Sequence, residues 1–129
     1  MAQVKIYGLA RHIDDKRIKI SEAIHSAVMT AFEYPAEKKF HRFFYLDDEN
    51  FMYPDDRSSC YTIIEFSIFE GRSKRAKRSL ITEVFSNLET SAGISPQDVE
   101  ITIFETPKSN WGIRGKSGDD LLLDYKVDV

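Results

Sequence analysis

Hydrophobic positions recur along the chain with two periods, one of two residues and one near 3.6, in an order that occurs twice. Val4-Lys5-Ile6-Tyr7 alternates and predicts a short strand. Ile20, Ile24, Ala27, Val28, Ala31 and Phe32 recur at helical spacing and predict a helix over about 14–33. Asp14 or Asp15 is placed to cap it, and Pro35 lies just past its end. Phe40 to Leu46, rich in aromatics, predicts a second strand. Asp47-Asp48-Glu49 and Tyr53-Pro54-Asp55-Asp56 then form an acidic, turn-forming loop.

The second half repeats the plan. Cys60 to Phe69 predicts a strand with Ile64, Phe66 and Ile68 on one side. Ser73 can cap a helix over about 74–91, with Leu80, Ile81, Val84, Phe85 and Leu88 as its apolar stripe and Gly93 at its C-cap. Val99, Ile101 and Ile103 alternate with Glu100 and Thr102 in a fourth strand. Each half is therefore strand, helix, proline-bearing turn, strand, and a right-handed crossover makes the two strands of each half parallel. The expected fold class is α+β: two β-α-β repeats forming a four-stranded mixed sheet with two helices on one face. It is expected as a single domain, with pseudo-repeats at about 1–48 and 59–118 and a C-terminal edge segment at 119–129. That last segment, Leu121 to Val129, alternates as an edge strand would. The other sheet face, carrying Ile63, Phe43 and Tyr45 or their neighbours, is left bare and calls for a partner.

Composition narrows the function. The chain has 129 residues and net charge −3, with pI about 5.6, against the basic excess of a dedicated nucleic-acid binder. No apolar run approaches the roughly 18 residues that span a bilayer. The N-terminus has no signal-peptide core. A cytoplasmic protein acting on neither nucleic acid nor membrane is expected. Cys60 is alone, which rules out an internal disulfide. His12 and His25 lack metal-ligand spacing, and Asp47 to Asp56 lacks the calcium-loop pattern. Ser58, Ser59 and Cys60 lack the glycines of a nucleophile elbow.

One stretch resists the acidic balance. FEGRSKRAKR, residues 69–78, holds five cations between Arg72 and Arg78, at a helix start whose own dipole repels them. Free N–H groups there suit a carboxylate. Arg72 could bind one there, or be one more cation on a solvated helix start. Lys74, Arg75, Lys77 and Arg78 fit a solvated or ion-paired surface.

These residues carry a family resemblance. IFEGRSKRAKRSLITEVF followed by GISPQDVEITIFETPKSNWGIRG resembles 4-oxalocrotonate tautomerase and the wider tautomerase superfamily. The two-unit length and GISPQDV resemble malonate semialdehyde decarboxylase and its relatives. The likeness spares only the 47–59 loop and the last ten residues, and is loose in the first half. It implies a homotrimer whose bare sheet faces meet at its centre. It also implies keto-enol proton transfer by an N-terminal proline amine, with arginines holding substrate carboxylates and no metal or organic cofactor.

Carried over residue by residue, Arg72 matches a substrate-binding arginine and Trp111 the pocket aromatic. A second arginine of the decarboxylase falls on Glu70, and one of the tautomerase on Glu100, whose first-repeat counterpart lies near His41 and Arg42. Lys39, in the preceding turn, joins His41 and Arg42 as a candidate substrate contact. The decarboxylase's catalytic aspartate falls near Lys38. Ala2 takes the proline's place, so loss of Met1 would leave a primary amine titrating at about 7.7–8.0, lower if desolvated. The resulting expectation is a tautomerase-like protein acting on a small carboxylate-bearing 2-keto acid or enol, with Ala2 and Arg72 catalytic. The alternative is an inactive trimeric member that binds a small anion or a protein.

Overall fold

The computed structural model describes residues 2–129. Met1, whose removal the amine chemistry requires, lies outside the described residues. The chain runs β1 (Ala2–Leu9), α1 (Ala10–Phe32), β2 (Phe40–Leu46), β3 (Thr62–Phe69), α2 (Lys74–Ala92), β4 (Val99–Thr106) and a small hairpin, β5 (Gly112–Ile113) with β6 (Lys116–Ser117). The main sheet has the order β2-β1-β3-β4. β1 pairs parallel with β2, β3 parallel with β4, and β1 antiparallel with β3. This is the expected mixed sheet. Val4, Ile6, Ile64, Phe66 and Ile68 on one face pack against Ile20, Ile24 and Val28 of α1 and Leu80, Val84 and Leu88 of α2. Ser73 caps α2 by accepting from the Ala76 N–H, and Gly93 closes it in the left-handed region (φ 66°). Among the described residues, no helix is long and apolar enough to cross a membrane.

Three expectations need correction. First, α1 begins at Ala10 rather than near residue 14, and its N-cap residue, Leu9, makes no side-chain cap bond. Asp14 and Asp15 sit exposed inside the helix. A contact replaces the cap: Ile13 folds back over Gly8, where an added Cβ would lie 2.7 Å from Ile13 Cδ1. Glycine at position 8 lets the helix rise directly off the strand.

Second, the 119–129 segment is not an edge strand. After a 3-10 turn at Gly118–Asp120 it runs irregularly and joins neither sheet. Its alternation is real, since residues 121, 123, 125, 127 and 129 turn inward and the residues between them outward. The inward side packs on a hydrophobic cluster, with Val127 against Phe69 and against Gly71, where a Cβ would meet Val127 Cγ1 at 3.0 Å.

Third, the register turns part of β2 the other way. Phe43 lies opposite Ile6, on the helix face, and Tyr45 follows it there, accepting a bond from Arg17 of α1 at 3.0 Å. The open face instead carries Phe40, Arg42 and Phe44 with Tyr7, Ile63, Glu65 and Phe104. Phe40 and Phe104 are 45% and 49% exposed.

His41 shares the helix face. Its Nδ1 is 2.8 Å from Ser21 Oγ, and its ring meets His25 edge-on at 5.9 Å. Burial, then the neighbouring His25 and Lys39, push its pKa down to about 4.

Two outcomes follow. Ser73→Ala removes the cap and the bond its hydroxyl donates to the Val129 carbonyl, and should lower stability by about 1 kcal/mol in urea unfolding. His41 stays neutral in the folded chain until about pH 4, whereas the unfolded chain protonates it near 6.5. The folded state should therefore lose stability as pH falls from 6.5 toward 4, and His41→Gln should flatten that slope.

Candidate active site

The strand starts and helix ends of the two repeats correspond at an offset of 60 residues. β1 and β3 begin 60 apart, and so do the left-handed helix ends Glu33 and Gly93. The candidate residues gather at one end of the sheet, where β1 and β2 start and β3 and β4 finish.

Ala2 lies opposite Ile68 and is 3% exposed. Its nitrogen donates to the Tyr34 hydroxyl at 3.2 Å. Glu33, at φ 49°, ends α1 with a tight left-handed turn that returns Tyr34 to the core. The Tyr125 ring meets Tyr34 edge-on at 5.0 Å, so the irregular C-terminal segment supplies part of the wall.

Arg72 follows the turn Glu70-Gly71, which needs glycine because its φ is 131°. Its side chain runs inward and is 4% exposed. The guanidinium sits 4.7 Å above the Phe32 ring, and Nη1 donates to the Phe69 carbonyl at 3.4 Å. Nε and Nη2 are buried with no hydrogen-bond partner among the described residues. Burial draws its pKa down, while Tyr125, Tyr34 and Glu105 oppose the shift. An arginine still keeps its charge at neutral pH. Glu105 is engaged by Lys77, Nζ to Oε1, at 2.6 Å.

The remaining candidates divide. Trp111 packs edge-on against Phe69 at 5.0 Å and donates from Nε1 to Thr106 Oγ1 at 2.7 Å. Lys39, His41 and Arg42 line a separate, open cavity of about 430 Å³ with Gln3 and Phe40. Arg42 donates to Gln3 Oε1 at 3.3 Å. His41 and Arg42 project to opposite sheet faces and border this cavity from either side of the β2 edge. Lys38 lies 3.9 Å from Asp124. Glu70, in the place of the decarboxylase's other arginine, is exposed.

Tyr34 and Tyr125 escape sequence reasoning. An aromatic in the turn before Pro35 was the only local signal for Tyr34. Tyr125 sits in what reads as an edge strand, and only the packing of that segment brings it to Tyr34.

The offset of 60 carries Ala2 to Thr62 and Arg72 to His12, at the opposite end of the sheet. There Thr62 Oγ1 is 3.5 Å from His12 Nε2, and both are buried. His12 is drawn below its usual pKa, chiefly by burial and then by Lys16, with Asp98 opposing. The nearby Arg57 is neutralised by Asp56 and Glu100, each at 2.7 Å. This end therefore offers neither an N-terminal nitrogen nor an unopposed buried cation. No group of three or more His, Cys, Asp or Glu among the described residues is placed to hold a metal.

Residues 38–114 match the family model described as "Tautomerase enzyme". A 2-hydroxymuconate tautomerase of Comamonas testosteroni is 37% identical over 54 residues, 42% of this chain and 86% of that protein. A probable tautomerase of Staphylococcus saprophyticus is 31% identical over 58 residues, 45% of this chain and 95% of its own length. Among solved structures, malonate semialdehyde decarboxylase superposes with a TM-score of 0.82 at 24% identity, covering 93% of this chain and 99% of its own. A fused 4-OT solved as an asymmetric trimer gives 0.79 at 20% identity, covering 91% and 96%. The two structural likenesses show the fold, the family model spans more than half of the sequence, and the chain belongs to the tautomerase family.

Proposed function

We propose that this protein moves a proton between carbon and oxygen of a small carboxylate-bearing 2-keto acid or its enol. The Ala2 α-amine is the base and Arg72 holds the carboxylate. One observation carries the reading: a guanidinium 4% exposed, bonded by Tyr125 but with Nε and Nη2 lacking a partner among the described residues, that shares Tyr34 with the Ala2 nitrogen. A planar N–H fork matches the two oxygens of a carboxylate. In a water-poor site the same charge also steadies the enolate that forms as carbon loses its proton.

The base requires loss of Met1. The amine then sits in a buried site beside a cation, and both circumstances favour its neutral form near pH 7. It takes the proton from carbon, and the resulting ammonium returns it to oxygen or carbon, so one proton moves and none is consumed. Tyr125 of the C-terminal segment packs on Tyr34 and acts on Arg72, so this segment forms part of the wall of the site. Lys39 and Arg42 give the open cavity beside Gln3 a positive lining suited to drawing in an anion. His41 turns its Nδ1 to Ser21 and contributes wall rather than charge. The open sheet face, with Phe40, Phe44 and Phe104, is the surface through which this chain forms a homotrimer in the same reading, in keeping with the trimer of fused 4-OT.

A second reading rests on Ala2 itself. With Met1 retained, its nitrogen is an amide without a basic lone pair, and Arg72 then supports only binding of a small anion or of a partner. Intact mass of natively expressed protein separates the two. Loss of Met1 should accompany ketonisation of phenylenolpyruvate, and retention should accompany none. In the active case Arg72→Ala should lower kcat/KM on the order of 10- to 100-fold, the effect of losing one charge-assisted bond pair. Unchanged turnover and affinity would remove Arg72 from the site.

A further inference from the structure

The Ala2 nitrogen has one side-chain partner, and it is not a residue of the amine–arginine pair. The Tyr34 hydroxyl accepts from this nitrogen at 3.2 Å, inside the core, with Tyr34 itself 4% exposed. Three anchors hold that oxygen. The left-handed Glu33 sets the direction of the chain, its N–H bonded to the Met29 carbonyl, and the Tyr34 N–H reaches the same carbonyl at 3.3 Å. The ring is wedged edge-on between His25 at 6.4 Å and Tyr125 at 5.0 Å. Behind it, the Tyr125 hydroxyl and the Arg72 guanidinium act on the same oxygen.

We propose that Tyr34 is the positioning residue of the Ala2 amine, aiming its lone pair and setting its proton affinity through the hydroxyl at 3.2 Å. This rests on the reading above in which Met1 is removed. β1 is anchored by Ala2 opposite Ile68 and Gln3 opposite Phe40, so the nitrogen stays in place when the amide becomes an amine. A primary amine carries one more N–H than a ring amine, and rotates about its bond to Cα. One fixed acceptor restricts that freedom. With an N–H held on Tyr34, the lone pair is left in one of the two remaining positions, both directed away from the Tyr34 oxygen. After proton abstraction the ammonium donates to the same oxygen, which offsets repulsion from the neighbouring guanidinium. Burial also keeps the Tyr34 phenol above its usual pKa, so it remains a neutral hydroxyl across the working range.

The titratable and charged groups around the Tyr34 hydroxyl, the direct partner of this nitrogen, are Tyr125 and Asp124 from the C-terminal segment and Arg72 from the β3–α2 turn. A neutral hydroxyl that accepts from an ammonium favours the protonated form. Its removal tips the balance toward burial and Arg72, which favour the neutral amine.

The test uses the Met1-processed full chain, labelled with 13C at alanine methyls. The Ala2 methyl resonance, assigned by Ala2→Gly, reports protonation of its own amine without requiring turnover. Tyr34→Phe keeps the ring and its packing and should move the titration midpoint down by about one unit, a tenfold loss of proton affinity. Tyr125→Phe, which leaves the direct partner in place, should move it less. In ketonisation assays the acidic limb of the pH–rate profile should shift with the midpoint, whereas a merely structural defect would scale the rate equally at every pH. An identical Ala2 midpoint in Tyr34→Phe overturns the inference and leaves the proposed activity standing. Retained Met1 overturns both.

Discussion

A guanidinium held out of water without a carboxylate to neutralise it is the constraint on which this end of the molecule depends. Desolvating a cation costs several kcal/mol in a real protein interior. Arg72 recovers part of that from the face of Phe32, the Phe69 carbonyl and two tyrosine hydroxyls. Phe32 and Tyr34 come from the end of α1 and the turn after it, Phe69 ends β3 three residues before the arginine, and Tyr125 comes from the C-terminal segment. The arginine thus requires two distant parts of the chain to converge on it, and Nε and Nη2 keep no partner among the described residues.

The internal repeat makes this end comparable with its counterpart. At a displacement of 60 residues Thr62 takes the place of Ala2 at the start of its strand, whereas His12 lies inside α1 and Arg72 in the turn before α2. Burial at the Thr62 end is relieved in the ordinary ways. Histidine sheds its charge, and Arg57 finds Asp56 and Glu100. Arginine cannot shed its charge as histidine does, so the Arg72 end keeps an unspent electrostatic preference. The two ends of the protomer therefore differ in how their buried groups carry charge.

The C-terminal segment illustrates how a correct pattern can support a wrong element. Alternation from Leu121 to Val129 describes an extended chain with one wet side and one dry side. A sheet edge satisfies that description, and so does a groove beside Phe69 and Gly71. The difference is who supplies backbone hydrogen bonds, which side-chain periodicity does not encode. The register of β2 has the same origin. A run of Phe, His, Arg, Phe, Phe and Tyr has no clean polar side, so only pairing with β1 decides that Phe43 faces the helices and Phe44 the open side.

The sequence by itself determined the two β-α-β units, the mixed sheet, both apolar helix stripes and the Ser73 cap. Each follows from local periodicity or a short turn motif, and those act over a few residues. It could not place the start of α1, because the contact that replaces a cap there, Ile13 over Gly8, depends on how tightly helix and strand approach. Tertiary structure alone decided that Ala2, Tyr34, Arg72 and Tyr125 meet, since they are brought together by sheet pairing and core packing across most of the chain. It also decided that Lys39, His41 and Arg42 border a different cavity. Burial is a property of the assembled fold, and burial is what sets Arg72 apart from the exposed cations that follow it in the sequence.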